Sequence, residues 1–177
     1  MADFYNAYVC ERGHINRSDV GLEVGLEDED TGQRSTEPRP PDSFCDECGA
    51  TVLAECPICE STLRGARIMN MGLPDREFQR PRPYCYQCGE PLPWTRDALN
   101  AIEELALEQG DLSDAEVGQL VDAARRLSDE TLSPQSTVGV SRFRRLVGRM
   151  SGETREAVMK IGVDLASAAI KKELGTG

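Results

Sequence analysis

Hydrophobic residues recur at helical spacing through the second half of the chain, whereas the first half shows no such period. The first periodic stretch begins after Trp94, with Thr95 as a candidate N-cap, and stops at Gly110. Its apolar positions fall on one helical face: Ala98, Leu99, Ile102, Leu105 and Ala106. The pattern predicts an amphipathic helix between Thr95 and Gly110.

A second helix is predicted directly after the first. Ser113 and Glu116 have the spacing of a capping box, which marks a helix start. The stripe that follows consists of Val117, Leu120, Val121, Ala124 and Leu127. Because the connection is short, we expect an antiparallel helical hairpin over residues 96–130, with its acidic faces in solvent.

The C-terminal region, residues 136–177, predicts basic and amphipathic helices. Pro134 interrupts the helical pattern, and residues 137–149 predict a helix with four arginines outside. Its apolar positions are Val140, Phe143, Leu146, Val147 and, just beyond, Met150. Residues 153–174 predict the longest helix, whose apolar surface exceeds that of a lone exposed helix. That surface includes Val158, Ile161, Val163, Leu165, Ala168, Ala169 and Ile170.

The first half of the chain carries all seven cysteines and the only histidine. The cysteines form three C-x-x-C pairs plus Cys10, which has His14 four residues later; the pairs are Cys45/Cys48, Cys56/Cys59 and Cys85/Cys88. One tight turn at this spacing points two ligands at one ion, and a structural zinc needs four N/S ligands. Eight ligands therefore predict two structural Zn²⁺ ions in a small β domain, a double zinc ribbon, over residues 1–95.

The spacing leaves open which pairs share an ion. Sequential pairing joins Cys10/His14 with Cys45/Cys48, and Cys56/Cys59 with Cys85/Cys88; we favour it because each ribbon is then one knuckle, an excursion and a closing knuckle. The alternative joins Cys45/Cys48 with Cys56/Cys59, which are close in sequence. A redox or a catalytic-zinc role is less favoured, because no βαβ unit is visible and no ligand position is left open.

Charge and composition narrow the function classes. The 177 residues carry a net charge of −11, divided into −7 for residues 1–96, −8 for 97–137 and +4 for 138–177. We find no apolar run of ~18 residues and no basic, apolar leader. We therefore expect a cytoplasmic protein in a reducing compartment, where clustered cysteines indicate metal ligation rather than disulfides.

The spacing and flanking residues of the knuckles also resemble a bacterial family catalogued as a domain of unknown function, number 2321. The resemblance rests on Cys10-x-x-Gly13-His14-Ile15-Asn16, Cys45-x-x-Cys48-Gly49, Cys56-Pro57-x-Cys59, Arg64-Gly65 and Cys85-x-x-Cys88-Gly89-x-Pro91-x-Pro93-Trp94-Thr95. It implies a double zinc ribbon leading into a helical C-terminal half. It implies no activity.

The function that we expect is a non-enzymatic interaction module, an adaptor or scaffold that docks a protein partner or self-associates through its C-terminal helices. We find no phosphate loop, no Ser/His/Asp set and no paired carboxylates. Candidate partner-binding residues are Trp94, Arg142, Arg144, Arg145, Arg149, Ile161, Leu165 and Ile170. Alternatives are nucleic-acid binding through Arg142–Arg149, disfavoured by the acidic charge, and peripheral binding to anionic membranes.

Overall fold

The fold consists of a small antiparallel sheet with two cysteine clusters, followed by a helical half, as predicted. The computed structural model describes residues 4–20, 41–69, 74, 80–129 and 133–174. The chain divides into two compact units, Met1–Trp94 and Thr95–Gly177. The two helical regions predicted separately, 96–130 and 136–177, fall within the second unit.

The first unit is organised around one strand that the sequence did not reveal. Strand β1 (Phe4–Cys10) pairs antiparallel with β2 (Ile15–Val20), β3 (Val52–Leu53) and β4 (Arg64–Arg67). Because β1 has three partners, it joins segments that are far apart in sequence. Each C-x-x-C knuckle is flanked by a single antiparallel bridge: Phe44 with Thr51, Glu55 with Thr62, and Tyr84 with Pro91.

Alternate residues of β1 contribute to two different small cores. Ala7 and Val9 belong to one cluster of buried residues, which includes Cys56 and Cys85. Tyr8 and Cys10 belong to another, which includes Val20, Cys45 and Val52. Successive residues of a strand point to opposite faces, so one seven-residue strand contributes to the surroundings of both cysteine clusters.

The described residues of the second unit form five α-helices around one apolar core. They are α1 (Pro93–Gln109), α2 (Asp114–Arg125), α3 (Pro134–Val147), α4 (Gly152–Leu165) and α5 (Ala168–Glu173), with a 3₁₀ turn at Arg126–Ser128. Helix α1 begins at the end of the first unit. The predicted stripes supply most of the core, and its largest fully buried side chain is Phe143.

Two helix starts were predicted too late, one because Thr95 was taken for the N-cap and one because Pro134 was taken for a boundary. Helix α1 begins at Pro93, so Thr95 lies inside its first turn, buried, and is not the N-cap. Helix α3 begins at Pro134, and Ser133 caps it by accepting a hydrogen bond from the Ser136 amide. Proline suits the first helical position, since the amide it lacks would have no partner there.

The predicted helix over 153–174 is wrong in its continuity: it breaks at Ala166, where the backbone is extended, before α5 begins. Ser167 accounts for the break. Its amide donates to the Leu127 carbonyl at 2.9 Å, and its hydroxyl donates to the Asp129 carbonyl at 2.7 Å. In a continuous helix the Ser167 amide would donate to the Val163 carbonyl instead. Periodicity within the segment could not reveal these tertiary bonds. No described helix combines the length and the apolar character that crossing a bilayer requires.

Candidate metal centres

The first centre gathers Cys10, His14, Cys45 and Cys48. Cys10 ends β1, and His14 follows in the turn to β2. Its Nδ1 lies 3.7 Å from the Cys45 sulfur, and the Cys10 and Cys48 sulfurs are 3.8 Å apart. All four ligand atoms lie within 4.8 Å of one another.

The second centre gathers Cys56, Cys59, Cys85 and Cys88, again with all ligand atoms within 4.8 Å. The sulfurs of Cys56 and Cys88 are 3.9 Å apart, and those of Cys59 and Cys85 are 3.6 Å apart. The Cys56/Cys59 knuckle therefore faces the Cys85/Cys88 knuckle, and each cysteine of one lies near a cysteine of the other. The grouping in both centres is the sequential one, and the alternative that joined Cys45/Cys48 with Cys56/Cys59 is not observed.

The sulfur separations fit ligands around an ion and not a disulfide. A tetrahedron with metal–sulfur bonds of ~2.3 Å has edges of roughly 3.8 Å, whereas a disulfide bond is ~2.05 Å long. All seven cysteines are free thiols. The two clusters could thus each hold one metal ion without rearrangement of the ligands.

The three C-x-x-C knuckles share one backbone design. In each, the first cysteine's amide donates to the carbonyl five residues on, and its carbonyl accepts from the amide four residues on, at 2.8–3.0 Å. That fourth residue has a positive φ: 70° at Gly49, 76° at Gly89 and 58° at Glu60. Glycine accepts this conformation freely, whereas a side chain makes it costly. Glu60 is therefore the strained member of the set.

The Cys10–His14 half-site has a different turn, in which Trp94 takes part. The Gly13 amide donates to the Cys10 carbonyl at 2.8 Å, and Gly13 has a φ of 87°. A Cβ at Gly13 would lie 3.1 Å from the Cβ of Trp94. The indole also packs against the apolar cluster around Cys56 and Cys85, and its Nε1 donates to the Arg82 carbonyl at 3.1 Å. Trp94 is thus a half-buried link between the surroundings of the two centres.

Hydrogen bonds in the first centre favour the thiolate form of Cys45. Burial raises its pKa, but the amides of Glu47 and Cys48 and the His14 ring together lower the pKa of the Cys45 thiol to about 7. Burial raises the pKa of the Cys10 thiol. The Nε2 of His14 lies 3.9 Å from a carboxylate oxygen of Glu47. A carboxylate in this place orients a metal-bound imidazole.

The second centre contains a hydroxyl that the cysteine pattern did not single out. The Oγ of Ser61 lies 3.2 Å from the sulfurs of both Cys59 and Cys85. Burial raises the pKa of the Cys85 thiol, but Ser61 and the amides of Cys88 and Gln87 outweigh it and bring that pKa to about 6. Ser61 also lowers the pKa of Cys59. The only sequence signal was a hydroxyl residue two positions after a ligand.

The fourth thiol of this centre resists ionisation. A hydrogen bond from the backbone amide of Glu90 lowers the pKa of Cys88. Burial and the neighbouring thiols of Cys59, Cys85 and Cys56 outweigh it and raise that pKa to about 12. Four sulfurs held this close cannot all be anionic by themselves, because like charges disfavour one another. A bound cation removes that repulsion, and the arrangement of the donors is therefore suited to a metal ion.

The predicted partner-binding residues are placed differently. Ile170 is fully buried in the helical core, and Ile161 and Leu165 are partly buried against the same core, so these residues build the fold. Arg149 pairs with Glu116, while Arg144 and Arg145 are exposed and Arg142 is half-buried. The Arg149 contact and bonds from Ser113 lower the pKa of Glu116 to about 2.

Comparison with known proteins gives a family and no activity. Within the part of the chain that the structure describes, the two centres are the only groups of three or more potential metal ligands. No curated protein and no solved structure matches the chain. A family model described as "uncharacterized protein conserved in bacteria" matches residues 4–174, nearly the whole chain. The chain therefore belongs to this bacterial family, DUF2321.

Proposed function

We propose that the chain is a non-enzymatic zinc-binding interaction module, an adaptor or scaffold for a protein partner or a second copy of itself. Two structural Zn²⁺ ions would hold the ribbons rigid, and the helical half would provide the docking element. The observation that carries this proposal is that each cluster supplies four N/S ligand atoms. Four such ligands complete a structural zinc site, whereas catalytic zinc keeps one position for water or substrate.

The donor set favours zinc. Closed tetrahedral sets of cysteine and histidine are typical of structural zinc, and soft thiolates select against magnesium and calcium. Zinc binding would deprotonate seven thiols, which adds seven negative charges, and two Zn²⁺ would add four positive ones. The formal net charge would then change from −11 to −14. Free thiols at all seven positions suit a reducing compartment, which is why we assign the protein to the cytosol.

The histidine count supports a non-enzymatic role. The chain has one histidine, and its Nδ1 faces the Cys45 sulfur inside the first centre. A Ser-His-Asp or Cys-His nucleophile needs a histidine free to move a proton. His14 cannot serve both purposes, so nucleophilic catalysis of this kind has no base.

Cobalt substitution tests whether the centres are closed. We expect Co²⁺-loaded protein to show the visible spectrum of tetrahedral Co²⁺, unchanged by added cyanide or imidazole, because no coordination position is open. The matched control is Cys88→Ala, which should lose the ion of the second centre and keep that of the first, so that the spectrum of the first centre is observed alone. A response from the unmodified protein would show an open site and overturn the structural assignment.

The docking element is tested on the helices. Leu107 and Val138 are large hydrophobic residues of α1 and α3 that are half-exposed, at 50% and 54%. We expect the double variant Leu107→Ser/Val138→Ser to lose a specific protein, or a second copy, that nuclease-treated full-length protein retains; Ala115→Ser, also exposed on a helix, should keep it. Recovery of nucleic acid or lipid alone would contradict the adaptor proposal.

A further inference from the structure

Two arginines and two aromatic rings alternate on the surface of the first unit. The Cζ of Arg64 lies 3.6 Å from the centroid of the Tyr86 ring and 5.1 Å from that of Phe4. The Cζ of Arg82 also lies near the Phe4 ring, 5.4 Å from its centroid. These groups, with Arg67, form what we call the arginine–aromatic patch: Phe4, Arg64, Arg67, Arg82 and Tyr86.

The sheet explains how the patch is assembled. In the β1/β4 ladder, Arg67 pairs with Phe4 and Arg64 pairs with Asn6, with a register shift between the two pairs. The shift lets both arginines reach the surface although they are three residues apart, while Gly65 and Ala66 between them are buried. Phe4 comes from β1 and Tyr86 from the last knuckle, so three distant segments meet here.

The patch is basic, whereas residues 1–96, to which it belongs, carry a net charge of −7. Arg64, Arg67 and Tyr86 are exposed, and neither Arg64 nor Arg67 forms an ion pair with a described residue. A guanidinium stacked on a ring keeps its N–H donors pointing outward in the plane of the stack. Those donors are therefore presented to solvent with no carboxylate among the described residues to occupy them.

We propose that the arginine–aromatic patch binds single-stranded nucleic acid. Single strands are recognised where aromatic rings and guanidinium planes stack on unpaired bases and neighbouring cations contact phosphates. Both elements are present in the arginine–aromatic patch. An acidic peptide would use the arginines but gain little from the rings, and duplex bases are already stacked on each other. This goes beyond the adaptor function, and it uses a surface other than Arg142–Arg149.

The test is fluorescence anisotropy with zinc-loaded full-length protein and labelled oligonucleotides of about 20 nucleotides, dT and U, at about 50 mM salt. We expect Arg64→Ala/Arg67→Ala to weaken binding at least about tenfold and to reduce the salt slope by roughly 1.4, since each lost phosphate contact on a single strand contributes ~0.7. Tyr86→Ala should weaken binding about 5- to 100-fold, the range for loss of one stacked base, while Tyr86→Phe should bind normally.

Two further variants separate stacking from charge and this site from the tail. Arg64→Lys keeps the charge and loses the planar stack, so it should bind measurably more weakly than the unmodified protein. Arg144→Ala/Arg145→Ala removes the same charge from exposed positions of α3 and should bind normally; zinc content and melting temperature confirm that every variant is folded.

Three results would overturn the proposal. The first is no anisotropy change with either oligonucleotide. The second is equal binding by the protein with and without Arg64 and Arg67, or a greater loss in Arg144→Ala/Arg145→Ala. The third is competition by a poly-glutamate peptide as strong as that by an unlabelled oligonucleotide, which would identify an acidic peptide as the preferred ligand.

Discussion

The two halves of the molecule hold their folds by different means. The helical unit has a continuous core of eighteen buried residues contributed by all five helices and the connections between them. Among its described residues the ribbon unit has two small clusters of six and five buried residues, and four of those eleven are cysteines of the candidate metal centres. Clusters this small do not bury enough apolar surface to stabilise a domain of this size without a further cross-link, such as a bound metal ion. We infer that burial stabilises the helical unit, and we propose that metal ligation stabilises the ribbon unit.

Metal removal should separate the two units most strongly. A structural zinc site contributes about 10–16 kcal/mol of apparent binding free energy, comparable to or larger than the whole stability of a typical domain. We therefore expect a strong chelator under reducing conditions to unfold the ribbon unit and leave the helices folded. Hydrogen exchange would show lost protection in β1–β4 and retained protection in α2–α4. Simultaneous loss of protection in both units would contradict the comparison.

A pair of glycines tests the burial side of the comparison. A Cβ at Gly162 would lie 2.3 Å from Cζ of the fully buried Phe143, whereas a Cβ at Gly118 would meet nothing within 4 Å. We expect Gly162→Ala to cost about 1–2 kcal/mol, because overpacking outweighs the gain in helix propensity. Gly118→Ala should stabilise by about 0.5–1 kcal/mol. Urea unfolding followed by helical circular dichroism measures both, and a gain in both would show a loosely packed core.

A substitution at Glu60 tests whether backbone strain in a knuckle weakens metal binding. Glu60 has a φ of 58° in the position where the other knuckles have glycine. Glu60→Gly should relieve strain of ~1–2 kcal/mol in the folded state and lose part of that gain to chain entropy, for a net gain of about 0.5 kcal/mol. Competition with a chelator would then show about twofold tighter metal retention. Gly89→Ala, the reverse change in the facing knuckle, should weaken retention; equal retention in both variants would refute the strain.

The smallest effect concerns acid stability of the helical unit. Arg149 and Ser113 lower the pKa of Glu116 from 4.5 to about 2. A carboxyl whose folded pKa is depressed stabilises the fold above its unfolded pKa and loses that contribution as the pH falls. We expect the contribution to be complete above pH ~4.5 and to vanish towards pH ~2. Glu116→Gln should flatten the stability profile across that window, and high salt should do the same because the pair is exposed.

The sequence predicted the ligands and the helical stripes because both are local patterns. Spacing alone identified the eight residues that the structure gathers into two candidate metal centres, and helical periodicity identified core residues such as Phe143 and Val158. The order of the knuckles favoured the sequential grouping, which the structure shows. Strand β1 was not predicted, and its alternation places Cys10 in one cluster and Val9 in the other. That strand is recognisable only through its three partners.

Other features depend on contacts between distant residues and could not be predicted. The break before α5 rests on bonds from Ser167 to Leu127 and Asp129. The stack of Arg64 on Tyr86 joins a strand to a knuckle. Two helix starts were misplaced for local reasons: Thr95 has the chemistry of an N-cap but lies inside α1, and a proline such as Pro134 marks either the end of one element or the first position of the next.

Native mass spectrometry of the metal content tests the central claim most directly. We predict two Zn²⁺ per chain, one in Cys45→Ser and one in Cys88→Ser, because the ligands divide into two independent closed sets. The control is Ser141→Ala, at an exposed position of α3, which should leave both ions in place. A chain that retains no metal, or one that loses both ions when either cysteine is replaced, would contradict the account.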